Sequence, residues 1–442
     1  MKQALITILF FCLATPCFSV PQTAASGKSA NEPVAATEAR QAGQSISFYA
    51  LSPEQLRKSE ALYKTRTALY LIQTTYGIAV LAVLLRLRIA SRYRGWAERL
   101  AHRRLFQAAI FIPLLFITLD LVSLPFELYR HHMQLAFELS VQSWGSWGWD
   151  RAKAELVRLL FFVPAGWGLY ALIKRSPARW WIYSWLVSLP LVVGLVFVAP
   201  ILIDPLFSHF VPLQQTRPEL VSAIEQVAAR GGLMIPRARI FEMNASEKVT
   251  TYNAYVTGIA STKRVVVWDN TARDLTVPEV LFIFGHEMGH YVLDHIYKGL
   301  AFAAGLLLAG LAAAKIIADN MLLRWGQLWG VHGLSDWASL PALMLVFSVL
   351  AFLGAPVANG FSRHLEHQAD IYGLEVTHGI VPDASEVAAR DFQLLGEKSL
   401  SYPNPNRLLV FWTYNHPPVA ERLRFALNYS PWAKNQPTKY VH

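Results

Sequence analysis

The sequence has few charged residues for its length of 442 residues. Asp, Glu, Lys and Arg make up 16% of the chain and apolar residues 54%, whereas about a quarter of the residues of an ordinary soluble domain are charged. The apolar residues are concentrated in runs that are too long for β-strands. This composition excludes a purely soluble globular protein and indicates an integral membrane protein.

Cysteine is scarce as well, since Cys12 and Cys17 are the only two in the chain. Both fall in an N-terminal apolar stretch, so disulfides cannot hold the rest of the chain together. That stretch is shorter than the about 20 residues that a membrane span needs and it follows a lysine, as in a signal peptide. We predict a signal peptide or N-terminal anchor at 1–25, then a linker and amphipathic lead-in at 26–66.

No DNA-binding or RNA-binding motif accompanies the net charge of +10, so we predict no nucleic-acid partner. Seven arginines instead cluster in the loop 86–104, between two apolar runs. Positively charged loops of membrane proteins stay in the cytoplasm. We therefore expect this loop on the cytoplasmic side of a bacterial-type inner membrane. Alternation of the spans then places the polar segment 205–299 on the extracytoplasmic side.

Apolar runs of the length needed to cross the hydrocarbon predict six membrane helices in the bilayer. Four of them lie within 67–204 and two form a hairpin within 300–358, at roughly 67–87, 105–126, 155–173, 179–203, 300–318 and 339–358. The polar segments 205–299 and 359–442 predict a soluble domain and a C-terminal segment. We expect the C-terminal segment to be helical at first and loop-like from Tyr402 onward.

Turn signals divide the soluble segment into a helix, three strands and a second helix. A capping box of Thr216 and Glu219 begins the first helix, predicted over 217–230. Short runs rich in Val, Ile, Tyr and Thr then predict a small antiparallel sheet, at 238–243, 250–258 and 262–268. A second capping box, of Thr276 and Glu279, begins an apolar helix that contains the motif described next.

Residues 286–290 read His-Glu-Met-Gly-His, the pattern H-E-x-x-H, inside this predicted helix. Residues four apart share a helix face, so His286 and His290 can reach one metal ion. Imidazole ligands favour Zn²⁺, and Glu287 is placed to act as the general base. Taken alone, the pentapeptide is equally compatible with a buried His/Glu pair. His295 lies off the metal-binding face, and we interpret it as structural.

A second cluster with helical spacing, at 362–370, follows the last apolar run. Glu366 and Asp370 lie one turn apart and share a face. Glu366 would complete a His₂Glu site for one Zn²⁺ per chain, and Asp370 would accept the ring N–H of His286. The alternative is a solvated charged helix in which Arg363 pairs with Glu366. The lack of lysine in this cluster weakens that alternative.

These motifs resemble those of the type I CAAX prenyl endopeptidase family, zinc metalloproteases enclosed in a membrane helix barrel. The similarity spans roughly 51–428 and includes, besides the two metal motifs, 51–64, 200–212, 253–255, Asn359, and 416–418 with Arg422. It implies a mainly α fold, a polytopic membrane helix barrel with a small α+β zinc-peptidase domain built around the H-E-x-x-H helix. It also implies zinc binding by His286, His290 and Glu366 and catalysis by Glu287, in agreement with the spacing.

The resemblance implies roles for further residues. Asn253, Ala254 and Tyr255 resemble the strand edge along which a substrate is laid as an added strand. An ordinary structural hairpin is the alternative for this segment. His416 and Arg422 resemble family residues near the substrate backbone and the oxyanion, and we predict them to be catalytic.

The function predicted is hydrolysis of peptide bonds in a peptide or protein substrate beside or within the lipid bilayer. One alternative keeps the enzyme but makes it a quality-control protease for membrane proteins. The other is a scaffold or transport protein in which the metal only braces two helices, and Glu287 argues against it because a structural site needs no base. The short N-terminal run departs from the full first span usual in the family, and the substrate itself is not implied.

Overall fold

The computed structural model describes residues 46–258 and 263–441. The signal peptide or anchor predicted at 1–25 lies outside these residues, as does the first part of the linker and lead-in, 26–45. Within the described part, six helices are long and apolar enough to cross a membrane, and they contain the six predicted runs. The prediction of a mainly α, polytopic membrane protein is therefore confirmed.

Three of the four membrane helices of the first group extend well beyond the apolar runs that predict them, whereas the fourth matches its run. The membrane helices are α1 (Pro53–Arg86), α3 (Arg104–Ala136), α4 (Trp144–Arg175) and α5 (Trp180–Leu202), and the short α2 (Ile89–Leu100) occupies the Arg-rich loop. At 1.5 Å per residue, the 34 residues of α1 are about 50 Å long. This exceeds the hydrocarbon thickness of about 30 Å, so polar ends of these helices project out of the membrane.

In the soluble segment, the sheet is mixed, and the prediction of an antiparallel sheet is wrong in one pairing. Its strands are β1 (Phe210–Pro212), β2 (Ile240–Met243), β3 (Ala254–Thr257) and β4 (Arg264–Trp268), in the order β1-β2-β4-β3. β4 lies between β2 and β3 in the sheet. It runs parallel to β2 and antiparallel to β3. β1 was not predicted, since three residues carry too little periodicity.

Four helices accompany this sheet: α6 (Leu213–Thr216), α7 (Pro218–Arg230), α8 (Asp269–Asp274) and α9 (Val277–Val292). The capping box of Thr276 and Glu279 is present at the start of α9. The box predicted for Thr216 and Glu219 is wrong, because Arg217 is the N-cap of α7 and the Thr216 hydroxyl bonds to Leu213 and Glu242.

The last part of the chain is more helical than predicted. The second membrane hairpin is α10 (His295–Trp329) and α11 (Leu340–Thr377), followed by α12 (Ala384–Lys398), α13 (Arg407–Thr413) and α14 (Val419–Asn428). The predicted loop beyond Tyr402 is wrong, because α13 and α14 form there. The Asn406 side chain caps α13 by accepting from the backbone N–H of Leu408 at 2.9 Å. α11 runs without a break through the cluster 362–370.

The Arg-rich loop and the peptidase domain lie at opposite ends of the membrane helices. The loop between α3 and α4 contacts the peptidase domain, where the Val141 backbone N–H donates to the Lys248 carbonyl at 3.1 Å. At the other end, Ser91 of α2 donates to the carbonyl of Gly330, between α10 and α11. The largest apolar core belongs to the peptidase domain and surrounds α9. The H-E-x-x-H helix is thus packed against other helices and the sheet of the peptidase domain.

Candidate active site

Helix α9 carries the first two predicted metal ligands. His286 and His290 are both buried, and their Nε2 atoms lie 3.1 Å apart. The helical repeat puts them on one face, one turn apart. This face is directed at α11, the helix with which α9 crosses.

The third predicted ligand comes from α11. Glu366 is buried, with one carboxylate oxygen 3.3 Å from His286 Nε2 and the other 3.6 Å from His290 Nε2. One atom from each of these residues can be chosen so that all lie within 4.8 Å of one another, a grouping that could hold a metal ion. A tetrahedral ion with bonds of about 2.0–2.1 Å separates its ligand atoms by about 3.3 Å. The three side chains therefore fit an ion of this size.

Small residues let α9 and α11 approach closely enough for this grouping. A Cβ on Gly373 would lie 3.0 Å from the backbone nitrogen of His286 and 3.2 Å from its Cα. A Cβ on Gly289 would lie 2.9 Å from the Cβ of Tyr372, and one on Gly285 would lie 2.9 Å from Val376. A larger residue at these positions would separate the two helices and move Glu366 away from the histidines.

The outer ring nitrogen of His286 is held by a carboxylate. Its Nδ1 lies 2.8 Å from Asp370 Oδ1, the position that the sequence predicts for Asp370. Arg422 of α14 holds Asp370 in turn through two contacts, of 2.9 Å and 2.5 Å. Burial lowers the pKa of His286, but the hydrogen bonds with Asp370 and Glu366 outweigh it and raise the pKa to about 9. A bound metal must displace this proton.

The outer ring nitrogen of His290 is held differently, by a residue interpreted from the sequence as merely structural. His290 Nδ1 lies 2.7 Å from Nδ1 of the buried His295, and His295 Nε2 lies 3.0 Å from Gln368 Oε1. When His290 donates to His295 and His295 donates to Gln368, the His290 Nε2 atom carries a lone pair that can bind a metal. The available signal was a histidine five residues after His290. A continuous helix would point this residue away from the site, but α9 ends at Val292, so the helical spacing does not apply to His295.

Two more predicted site residues border the three predicted ligands and are partly accessible. Glu287 has an exposed fraction of 26% at its side chain, and its Oε1 lies 3.9 Å from His286 Nε2. His416 has an exposed fraction of 35% and its Nε2 lies 3.3 Å from Glu366 Oε2. The structure therefore brings together a carboxylate and an imidazole beside the same three ligands.

His416 is placed there by contacts between α11 and the segment that precedes it. The Asn359 side chain donates to the Trp412 carbonyl at 2.6 Å, and Arg363 donates to the carbonyls of Val410 and Tyr414. These carbonyls lie at and just beyond the end of α13, where a helix leaves its C=O groups without helical partners. Arg363 thus binds backbone, and it does not form the ion pair with Glu366 that the solvated-helix alternative requires.

The segment that resembles a substrate-binding edge lies in and just before β3. β3 is an edge strand, and it pairs with β4 on one side. The Asn253 backbone is anchored from behind, with its N–H donating to the Thr271 hydroxyl at 2.7 Å. Ala254 is buried, and the Tyr255 hydroxyl bonds to Asp204 beyond the end of α5. The side chain of Tyr255 therefore fastens the edge strand to the membrane region.

This fold and this site define a class: an integral membrane protein with a metallopeptidase domain. Two family models match the chain, the N-terminal model of CAAX prenyl proteases with five membrane helices over 43–209 and the model of peptidase family M48 over 214–430. The chain belongs to peptidase family M48 and is a CAAX prenyl protease-like metalloendopeptidase.

Individual relatives agree with this assignment. The chain is 36% identical to the uncharacterized metalloprotease YhfN of Bacillus subtilis, over 85% of this chain and 86% of that protein. It is 24% identical to the CAAX prenyl protease 1 homolog of Homo sapiens, over 76% and 77% of the two chains. The crystal structure of Ste24p from S. mikatae matches with a TM-score of 0.73 at 22% identity and covers 97% of both chains, so the fold is shared.

Proposed function

We propose that this protein is a zinc-dependent endopeptidase that binds one Zn²⁺ per chain through His286, His290 and Glu366. The observation that carries the proposal is the direction of the two imidazoles. The Nδ1 atoms of His286 and His290 are engaged by Asp370 and His295, so both Nε2 atoms point to the region beside Glu366. Two nitrogens and one carboxylate form a ligand set typical of catalytic zinc, which keeps a position for substrate or water.

Glu287 is the proposed general base. A bound zinc ion would supply Lewis-acid polarisation of the substrate carbonyl and of water. Glu287 accepts a proton from the attacking water and delivers it to the amine that leaves when the peptide bond breaks. Its accessible carboxylate beside His286 supports this role, because a base must reach both the water and the amine.

His416 is proposed to donate a hydrogen bond to the oxygen on which negative charge develops. Its distance to Glu366 supports this position at the edge of the ligand set. Arg422, also predicted to be catalytic, contacts Asp370 with two nitrogens. We propose that Arg422 positions the Asp370 carboxylate. A contact of Arg422 with the oxyanion remains a prediction.

The substrate is proposed to bind as an additional strand along β3, with backbone contacts from Asn253, Ala254 and Tyr255. The edge position of β3 and its packing beside α9 support this arrangement. The membrane helices and the CAAX prenyl protease relatives support a membrane-associated peptide or protein as the substrate. We place the protein in a bacterial-type inner membrane with the peptidase domain on the extracytoplasmic side, because the opposite end carries the arginines.

The test is a comparison of protein termini in membranes that contain the wild type or the Glu287→Gln variant. Glutamine keeps the shape of the side chain but cannot take the proton, so we expect turnover to fall by orders of magnitude while zinc content is unchanged. New termini should appear with the wild type only. Cleavage by the variant at a near wild-type rate would exclude the proposed mechanism, and active protein without bound zinc would exclude the metal.

A further inference from the structure

The Arg-rich loop does more than mark one side of the membrane. Residues 86–104 contain seven arginines and a single acidic residue, Glu98. Part of this loop is the helix α2, which lies between the membrane helices α1 and α3. The arginines divide into two groups that point to different surroundings.

The first group holds the connection between α10 and α11. Arg88 donates to the Leu328 carbonyl at 2.9 Å, and Arg104 donates to the Ser335 carbonyl at 2.9 Å. Arg94 forms an ion pair with the buried carboxylate of Asp336 and donates to the Gly330 carbonyl at 3.1 Å. The side chains of these three arginines are engaged by contacts within the protein, so we do not include them in a ligand site.

The second group is exposed and consists of Arg86, Arg92, Arg99 and Arg103. Within the part of the chain that the structure describes, none of these four side chains forms an ion pair or a hydrogen bond. Arg92, Trp96 and Arg99 follow the spacing of one helix face. Trp96 and Leu100 are also exposed, with fractions of 44% and 75%.

We propose that the exposed face of α2, formed by Arg92, Trp96, Arg99 and Leu100 and flanked by Arg86 of α1 and by Arg103 before α3, binds the headgroups of anionic phospholipids. Guanidinium groups match the geometry of phosphate and bind it with two parallel hydrogen bonds. Tryptophan and leucine among arginines are typical of a helix that lies in the membrane interface. α2 connects the end of α1 to the start of α3, so it lies at the ends of two membrane helices. Lipid phosphates are the most abundant anions at the membrane surface.

The rule that relates loop charge to orientation explains the number of arginines but not their arrangement. Orientation depends on how many positive charges a loop carries and not on which helix face they occupy. Here Arg92 and Arg99 share the exposed side of α2 with Trp96 and Leu100, and the opposite side packs through Ala90 and Ala97. This division is what a lipid-binding helix requires.

Lipid bound to this face would stabilise the hairpin of α10 and α11. The exposed and the engaged arginines lie in the same loop, and Arg94 and Arg104 contact Asp336 and Ser335, which precede α11. α11 carries Glu366 at its other end. Anionic lipid should therefore raise the thermal stability of the whole protein.

The test compares the full chain in detergent micelles after addition of phosphatidylglycerol, phosphatidylcholine or inorganic phosphate. We expect phosphatidylglycerol to raise the unfolding temperature and the other two to leave it unchanged. The R92Q/R99Q variant should lose most of this shift, since each arginine near an anionic surface contributes roughly five-fold to binding. The matched control, R239Q/R424Q, removes two exposed arginines from the peptidase domain and should respond like the wild type. High salt should weaken the effect.

Any of four results would overturn the proposal. An equal shift with phosphatidylcholine would mean that lipid in general stabilises the protein. An equal shift with inorganic phosphate would mean a site for free anions. A full shift in R92Q/R99Q, or retention of phosphatidylglycerol by this variant in native mass spectrometry, would place the lipid elsewhere. The unfolding temperature of the variant without lipid reports separately on whether it folds.

Discussion

At the scale of single residues, the two histidines proposed as ligands are oriented by different kinds of partner. His286 faces the carboxylate of Asp370, which is paired with Arg422, whereas His290 faces the ring of His295, which in turn contacts the Gln368 side chain. A carboxylate partner raises the basicity of an imidazole more than an uncharged partner does. We therefore expect the two ligands to respond differently to pH and to mutation.

Metal affinity should depend on pH over an unusually high range. The pKa of His286 in the metal-free protein is raised to about 9, above its ordinary value, so below this pH a proton competes with the metal. Affinity should fall by roughly ten-fold per pH unit as the pH drops below about 9, because one proton is released on binding. Competition with a chelator between about pH 7 and pH 9 measures this slope. If the pKa of His286 were at its ordinary value, protonation of this residue would not change the metal affinity over most of this range.

Removal of either orienting partner should weaken metal binding. Asp370→Ala leaves all three ligands in place but frees the His286 ring, and His295→Phe keeps a ring but removes the acceptor for His290. We expect each variant to bind zinc roughly 10–100-fold more weakly in a chelator competition. His364→Phe, at the exposed far end of the same chain of contacts, is the control and should have little effect. Full affinity in the His295 variant would return His295 to a merely structural role.

At the scale of elements, the site depends on the crossing of α9 and α11. Gly285, Gly289 and Gly373 allow the backbones to approach, and the membrane helix α11 brings Glu366 to the two histidines. The same helix holds the segment before His416 through Asn359 and Arg363. One continuous element therefore determines the position of both a ligand and a proposed hydrogen-bond donor.

Gly373→Ala should disturb this crossing. The new methyl group would meet the backbone of His286 at 3.0 Å, and backbone cannot move aside as a flexible side chain can. We expect the free energy of unfolding to drop by about 1–3 kcal/mol and zinc affinity to fall with it. Gly305→Ala in α10 is the control, because a Cβ there has nothing within 4 Å. Equal unfolding temperatures and zinc affinities for the two variants would show that the crossing tolerates a wider separation.

At the scale of the whole molecule, the peptidase domain and the Arg-rich loop occupy opposite ends of the membrane helices. We therefore expect the two regions to face different compartments. Loop charge favours a cytoplasmic position for 86–104, although Arg57, Lys58, Lys64 and Arg66 then lie toward the other side. The orientation is therefore a prediction that labelling can test.

Single cysteines should report the orientation in a variant without Cys12 and Cys17. An impermeant maleimide added to intact cells should modify Met234→Cys, whose parent residue has an exposed fraction of 90%, but not His102→Cys in the Arg-rich loop, which is also exposed. Permeabilised cells, in which both positions should react, are the control. The reverse pattern would place the peptidase domain in the cytoplasm.

Features that depend on neighbouring residues were predictable from the sequence. The six membrane helices follow from the length of apolar runs, because the bilayer sets that length. The pairing of His286 with His290 follows from the helical repeat, and the start of α9 follows from the box of Thr276 and Glu279. The failed box at Thr216 shows the limit, since Glu242 on β2 binds the same hydroxyl.

The tertiary structure decided everything that depends on how distant segments meet. Helical spacing puts Glu366 and Asp370 on one face, but only the crossing of α9 and α11 brings that face to His286 and His290. The parallel pairing of β2 with β4 and the contact of His295 with His290 likewise depend on where the chain returns. Local patterns specify the type and ends of an element, whereas its partners depend on packing against residues far away in the chain.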